Sequence, residues 1–380
     1  MIIGFDGKRA VENNTGLGNY SRLVVEVLAR RYPENKYILY APKLMANPRL
    51  KPVLELRNTD IVTPDTSAGR TLGSAWRSYG MTSCLIRDGV ELYHGLSGEL
   101  PVNIGKLNRP SVVTIHDVIF RRFPACYGAI DRKIYDAKFS RSAREATRVI
   151  AISERTCHDI MEFYGIPREK IDVIYQGCHS QFHRTPGEEE ISRVKAKYGI
   201  DRPYIITVGT VETRKNQAMA VRGIRGLPED FDLVVVGRRT PYAKTLDRYI
   251  STYSIESRVR FIENAGFADL PALYAGAFCS SYTSRYEGFG IPVIESLSVG
   301  TPVVIATGSC LEEAAGPSAP AIDPDDVEEW INVVKDMINY PATHAKLARE
   351  GKEYVRRFTD GDMASRTMET YNKAISSFNS

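Results

Sequence analysis

A chain of 380 residues exceeds what one ordinary hydrophobic core organises and suits two domains of about 150–200 residues each. At 43% hydrophobic and 25% charged it has a globular composition, without the run of roughly 18 apolar residues that a membrane span requires. A net charge of +4 is too small to point to nucleic acid, and six scattered cysteines without a C-x-x-C pair suggest neither a zinc site nor a disulfide framework.

The chain starts on the strand-like Ile2-Ile3-Gly4-Phe5 without a basic and apolar leader, so a reduced, cytoplasmic setting is expected. Thr15-Gly16-Leu17-Gly18-Asn19-Tyr20 then leads into an amphipathic stretch, Tyr20–Arg31. It resembles a phosphate loop but lacks the third glycine of a dinucleotide fingerprint. Short apolar runs follow at Tyr37–Tyr40, Val112–Ile115, Val149–Ile152 and Ile171–Ile174, with helix-like stretches Ile130–Ala146 and Glu154–Tyr164 between the later ones. Such β-branched runs, with little alternation, read as strands buried on both faces of a parallel sheet. Residues 109–150 carry nine Lys/Arg against four acids. That reads either as a solvated helix face or as a surface for anionic lipid or a diphosphate-bearing acceptor.

The pattern pauses over 176–203, where Gly177, Pro186, Gly187 and three glutamates precede a helix that ends at Gly199. This reads as an interdomain linker and the first helix of a second domain. Strand candidates resume at Tyr204–Val208, Leu233–Val236, Val259–Phe261, Ala277–Ser280 and Pro302–Ile305, with a helix over Gln217–Gly223 and a last amphipathic helix over Asp362–Ser377. Alternating β and α elements imply two parallel α/β domains, with ligands at the carboxyl ends of the strands in a cleft.

Several segments have the residues for chemistry. In Glu287-Gly-Phe-Gly-Ile-Pro-Val-Ile-Glu295, Pro292 is expected as the first helical residue, Glu295 in the first turn and Gly300 as the stop. The glycines let backbone amides approach a ligand, and a helix N-terminus suits a phosphate. Gly209-Thr-Val-Glu-Thr-Arg214-Lys215-Asn216 puts two cations at a strand's carboxyl end, where they can stabilise a departing diphosphate. His116-Asp117 closes a buried strand and points into the cleft. Asp323-Pro-Asp325-Asp326 matches a metal-binding D-x-D string, yet it precedes a helix and reads as an N-cap.

The ordered set of Thr15–Tyr20, His116-Asp117, Ala151–Glu154, Val173–Gly177, Val208–Asn216, Glu287–Glu295 and Gly300–Val303 resembles family 4 retaining glycosyltransferases of the GT-B fold. The resemblance covers nearly the whole chain and is most specific in the two glutamates eight apart. It implies two Rossmann-like domains, an acceptor-binding one over 1–177 and a nucleotide-sugar-binding one over 178–360. A helix over 361–380 would return to the first. It implies His116, Glu287, Arg214 and Lys215 as catalytic groups. Gly16, Gly18, Thr210, Phe289, Gly290, Ile291 and Glu295 would bind the donor, with Glu295 on the ribose and Glu287 on the sugar. No cofactor and no metal are expected. The partners implied are a nucleotide-sugar and a glycan or lipid-linked glycan acceptor, with peripheral contact through 109–150 at the inner membrane face and no nucleic acid. Phe5–Arg9 with Gly16–Tyr20 looks mannosyltransferase-like, which favours GDP-mannose over a UDP-sugar. Thr210 stands where many members carry arginine, and Glu312 where proline is common. A hydrolysing nucleotide-sugar 2-epimerase, a non-catalytic sugar-nucleotide sensor and a phosphorylase-like enzyme are the alternatives.

Overall fold

The apolar runs form two parallel sheets. A computed structural model of the chain describes residues 1–65 and 72–379. They divide into two compact units, Met1–Gln176 with Thr359–Ser380, and Gly177–Phe358.

In the first unit the strands are β1 (Ile2–Asp6), β2 (Lys36–Tyr40), β3 (Thr59–Val62), β4 (Leu92–Gly95), β5 (Ser111–Ile115), β6 (Arg148–Ala151) and β7 (Ile171–Val173). All neighbours are parallel, in the order β3-β2-β1-β4-β5-β6-β7. Every residue of β5 is buried, as expected of a strand covered on both faces. The longer helices are α1 (Gly16–Arg31), α2 (Ala129–Glu145) and α3 (Glu154–Tyr164). Helix α3 starts at the Ser153 hydroxyl, which accepts from the Thr156 amide, and stops at Gly165 with φ +64°.

The second unit contains β8 (Tyr204–Val208), β9 (Asp232–Val236), β10 (Val259–Ile262), β11 (Cys279–Tyr282), β12 (Val303–Ala306) and β13 (Ala321–Ile322), ordered β10-β9-β8-β11-β12-β13 and again parallel. Around them lie α4 (Glu188–Lys197), α5 (Ala218–Gly223), α6 (Ala243–Thr252), α7 (Leu270–Ala275), α8 (Ile291–Ser298), α9 (Leu311–Ala315), α10 (Val327–Asn339) and α11 (Pro341–Val355). Trp330 of α10 is fully buried, and Gly223 of α5 leaves room for its ring: a Cβ there would lie 2.3 Å from Cε3.

The last helix, α12 (Asp360–Asn379), packs in the first unit. Its buried residues Met363, Ala364, Thr367, Met368, Tyr371 and Ala374 recur at three and four positions, which makes one apolar stripe. A buried chain of polar groups pins it. Tyr371 Oη lies 2.7 Å from His94 Nδ1, His94 Nε2 lies 2.8 Å from Thr114 Oγ1, and Thr114 Oγ1 lies 3.1 Å from Tyr20 Oη.

Three strands differ from the sequence reading because their residues do not advertise them. Thr59–Val62 is a half-exposed edge, Leu92–Gly95 carries His94 and a glycine, and Ala321–Ile322 is two residues long. The strand expected at Ala277–Ser280 runs two residues later. The helix expected from Tyr20 starts at Gly16, so Gly16 and Gly18 belong to its first turn rather than to a loop.

Candidate active site

In the second sheet the chain reverses its direction of growth between β8 and β11, which are neighbours. A crevice opens at the carboxyl ends of two such strands, because their following loops leave in opposite directions. The Arg214-Lys215 loop follows β8 and the Glu287 loop follows β11, so the topology itself brings together segments about 70 residues apart. The loops are also bonded to each other. Asn216, at φ +53°, donates from Nδ2 to the carbonyls of Thr283 (3.2 Å) and Pro324 (2.8 Å), and the Arg285 amide donates to the Arg214 carbonyl at 2.9 Å.

Three charged side chains meet there. The buried Glu287 carboxylate contacts Lys215 Nζ at 2.6 Å through Oε1 and the Arg214 guanidinium at 2.9 Å through Oε2. Arg214 also donates to the Tyr286 carbonyl (2.6 Å) and to Glu212 (2.6 Å), so its plane is fixed. Burial alone would push Glu287 up, but Lys215 and Arg214 outweigh it and hold the carboxyl below its ordinary value. Burial works against the Lys215 charge too, yet Glu287 and Tyr282 keep its pKa raised. Counting Glu212, two cations meet two carboxylates, so the cluster is balanced in charge and its two cations are held in fixed places.

The segment from Gly288 onward turns into α8. Gly290 lies just ahead of the helix, and a Cβ there would sit 3.1 Å from Ala314 Cβ and 3.2 Å from Leu311 Cδ2. The Cys310 thiol lies 3.1 Å from the Glu287 carbonyl and 2.6 Å from the Phe289 carbonyl, which ties the loop down. The Phe289 ring is buried edge-on to Phe358 at 5.5 Å, while Ile291 is half-buried as the first residue of α8. Pro292 is therefore the second helical residue, not the first. Glu295 falls in the second turn rather than the first, because the helix already starts at Ile291, one residue before the expected Pro292. Gly300, at φ +95°, follows the helix end as expected.

Glu295 differs from Glu287 in its surroundings. Its Oε2 accepts one bond, from Tyr274 Oη at 3.2 Å, and burial pushes the carboxyl up to about 7. One neutral donor cannot replace the water around a carboxylate. Bound hydroxyl groups donating to it would restore the ionised form. Thr210, half-buried in the β8 loop, has its carbonyl held by Gln217 Nε2 at 2.9 Å.

In the first unit His116 directly follows β5. Its Nε2–H donates to the Leu96 carbonyl at 2.9 Å, and its ring meets that of Tyr20 edge-on at 4.5 Å. This brings His116 beside the first turns of α1, which contain Gly16 and Gly18. Burial lowers the His116 pKa to about 4, so near neutral pH the imidazole is uncharged and Nδ1 is the acceptor.

The basic segment 109–150 is largely answered by acids. Arg121 pairs with Asp136, Arg122 with Asp159 and Glu162, Lys138 with Glu99, Arg141 with Glu145, and Arg148 with Asp172. The D-x-D string is engaged as well: Asp326 caps α10 by accepting from the Glu329 amide at 2.9 Å, and Asp325 pairs with Arg285. The sequence reading missed Tyr274, Tyr282 and Cys310. Tyr274 lies among Ala, Leu and Ala and reads as core, and the sequence places Tyr282 in the loop after the strand without a partner, whereas the two-residue shift of β11 makes it the strand's last residue.

Comparison with known proteins gives the same picture over nearly the whole length. Residues 188–354 match the family described as "Glycosyl transferases group 1", and residues 15–182 match "Glycosyltransferase Family 4". The O-antigen chain mannosyltransferase B of Escherichia coli is 27% identical over 294 residues, 74% of each chain. The O-antigen chain mannosyltransferase RfbU of Salmonella typhimurium is 25% identical over 257 residues, 68% of each. Among solved structures, Anabaena Alr3699/HepE with UDP and glucose superposes with a TM-score of 0.77 at 19% identity, over 98% of this chain and 99% of that one. The two parallel sheets, the crevice loops and these matches together make the chain a member of the family 4 glycosyltransferases of the GT-B fold.

Proposed function

We propose that the protein transfers a sugar from a nucleotide-sugar, GDP-mannose, to a hydroxyl of a glycan or lipid-linked glycan acceptor in surface polysaccharide synthesis, with retention of configuration and without a metal. The observation that carries this reading is the contact of Arg214 and Lys215 with Glu287 at the β8/β11 crevice. Two fixed cations beside the amino end of α8 supply the charge a leaving diphosphate needs, at the place where a divalent ion would otherwise serve. Glu295 would accept from the ribose hydroxyls and Glu287 from the donor sugar. Backbone amides of Phe289, Gly290 and Ile291 would take phosphate oxygens, with Thr210, Gly16 and Gly18 as lesser contacts. Uncharged His116 would accept from a sugar hydroxyl through Nδ1. The C1–O bond to the diphosphate breaks first, through an oxocarbenium-like state. The acceptor oxygen then bonds to C1 from the same face, and its proton passes to the departing phosphate oxygen. The mannosyltransferase relatives favour mannose, and the UDP complex of HepE makes a UDP-sugar the donor to compare.

Glu287→Ala and Lys215→Ala are each expected to lower turnover by ~10²-fold or more, the scale of losing one transition-state contact. Near-normal transfer by both variants would refute the assignment. A thermal-shift series over GDP-, UDP-, ADP- and dTDP-sugars identifies the donor, since a ligand of the folded state raises its midpoint. An inverted anomer in the product, read by NMR, would remove the retaining mechanism.

A further inference from the structure

Tyr282 stands at the end of β11, its backbone in register with Ile305 of β12, and its side chain is buried. Its hydroxyl accepts from Lys215 Nζ at 2.7 Å and donates to Glu287 Oε1 at 3.4 Å, while that same oxygen lies 2.6 Å from Nζ. The three polar atoms thus close a triangle inside a buried wall. Packing alone does not require a phenol there, since phenylalanine would fill the same space without a hydroxyl to satisfy.

The triangle matters for direction. An ammonium group carries three N–H donors at the end of a flexible four-carbon stem. One partner leaves it free to rotate about the axis to that partner. Two partners, with the stem, fix the nitrogen and leave a single direction for the third N–H. Among the described residues Tyr282 and Glu287 are the partners of Lys215 Nζ, so the third N–H is aimed and available. A rigid strand end sets that direction more closely than a loop would.

We propose that Tyr282 is a positioning residue that aims the Lys215 ammonium at the leaving group's phosphate oxygens. The inference rests on the donor-site reading above and adds a residue to it. Charge developing on the departing diphosphate is stabilised by a donor that needs no reorientation. Tyr282→Phe leaves the charge of Lys215 in place but frees its direction.

The test compares Tyr282→Phe, Lys215→Ala and the double variant in the full-length chain, with the donor found by thermal shift and kcat normalised to folded protein. Tyr282→Phe is expected to lower kcat by about 10-fold or more, the scale of a misplaced group, with donor KM within about 2-fold. In the double variant the tyrosine change is expected to cost nothing beyond Lys215→Ala, because both act through one ammonium. Unchanged kcat in Tyr282→Phe, a loss appearing wholly in KM, or fully additive losses would each overturn the positioning role. If Lys215→Ala itself transfers normally, the donor-site reading fails instead, so the two failures are distinguishable.

Discussion

Glu287 and Glu295 lie eight positions apart, and the structure gives them opposite electrostatic surroundings. Glu287 is ionised between two cations, whereas Glu295 meets one phenol and is pushed up to about 7. Native Glu295 therefore binds its proton more readily than the unfolded chain does. Its contribution to stability is full below the ordinary value of 4.5, falls as pH rises to about 7, and is absent above that. The loss is on the order of 3 kcal/mol across that window. Glu295→Gln should remove this slope, raising the unfolding midpoint at pH 8 relative to the parent while leaving it near the parent's at pH 5. Equal shifts at both values would contradict it. The motif glutamates were legible in the sequence because their spacing is specific. Their charge states were not, because Tyr274 and Lys215, which decide them, come from segments distant in sequence from the glutamates they meet.

The elements show which glycines matter. Gly16 and Gly18 look equivalent in the string Thr15–Tyr20, yet both are helical and only one is confined. A Cβ on Gly18 would lie 1.9 Å from the Asn13 carbonyl oxygen, while Gly16 has nothing within 4 Å. That carbonyl is also held by the buried Arg22 guanidinium at 2.8 Å, so it cannot retreat without losing a bond. Gly18→Ala is expected to cost about 1–3 kcal/mol through overpacking, and Gly16→Ala to be neutral or slightly stabilising. Urea unfolding of both variants decides this, and equal effects would refute it. The β-branched runs revealed most strands, since they are buried on both faces. Strand β4 stayed hidden because its core position is filled by a histidine that is acceptable there only through bonds to Thr114 and Tyr371. Such partners are distant in sequence and leave no local pattern.

At the scale of the whole molecule the two units should answer acid in opposite ways. Burial lowers His94 to about 3 and His116 to about 4, both in the first unit. Each binds its proton less readily when folded, so the stability it lends is complete above the ordinary 6.5 and is lost as pH falls below it, at up to about 1.4 kcal/mol per pH unit. Glu295 works the other way in the second unit. Between pH 7 and pH 5, amide protection relative to the intrinsic exchange rate at each pH should fall in β4 and β5 and rise in α7 and α8. Unchanged protection in β4 and β5 would contradict the first half of this. The alternation of elements was enough to read two α/β units, because periodicity is local. The return of α12 to the first sheet depends instead on Tyr371 reaching His94, a pairing no local pattern encodes. That pairing also bears on how the chain is made. The first sheet's strands leave the ribosome early, but the helix that satisfies His94 is translated only after the entire second unit. Until then the amino-terminal unit has Thr114 on Nε2 of His94 but nothing from α12 on Nδ1, so its core is completed only when the chain's last helix arrives.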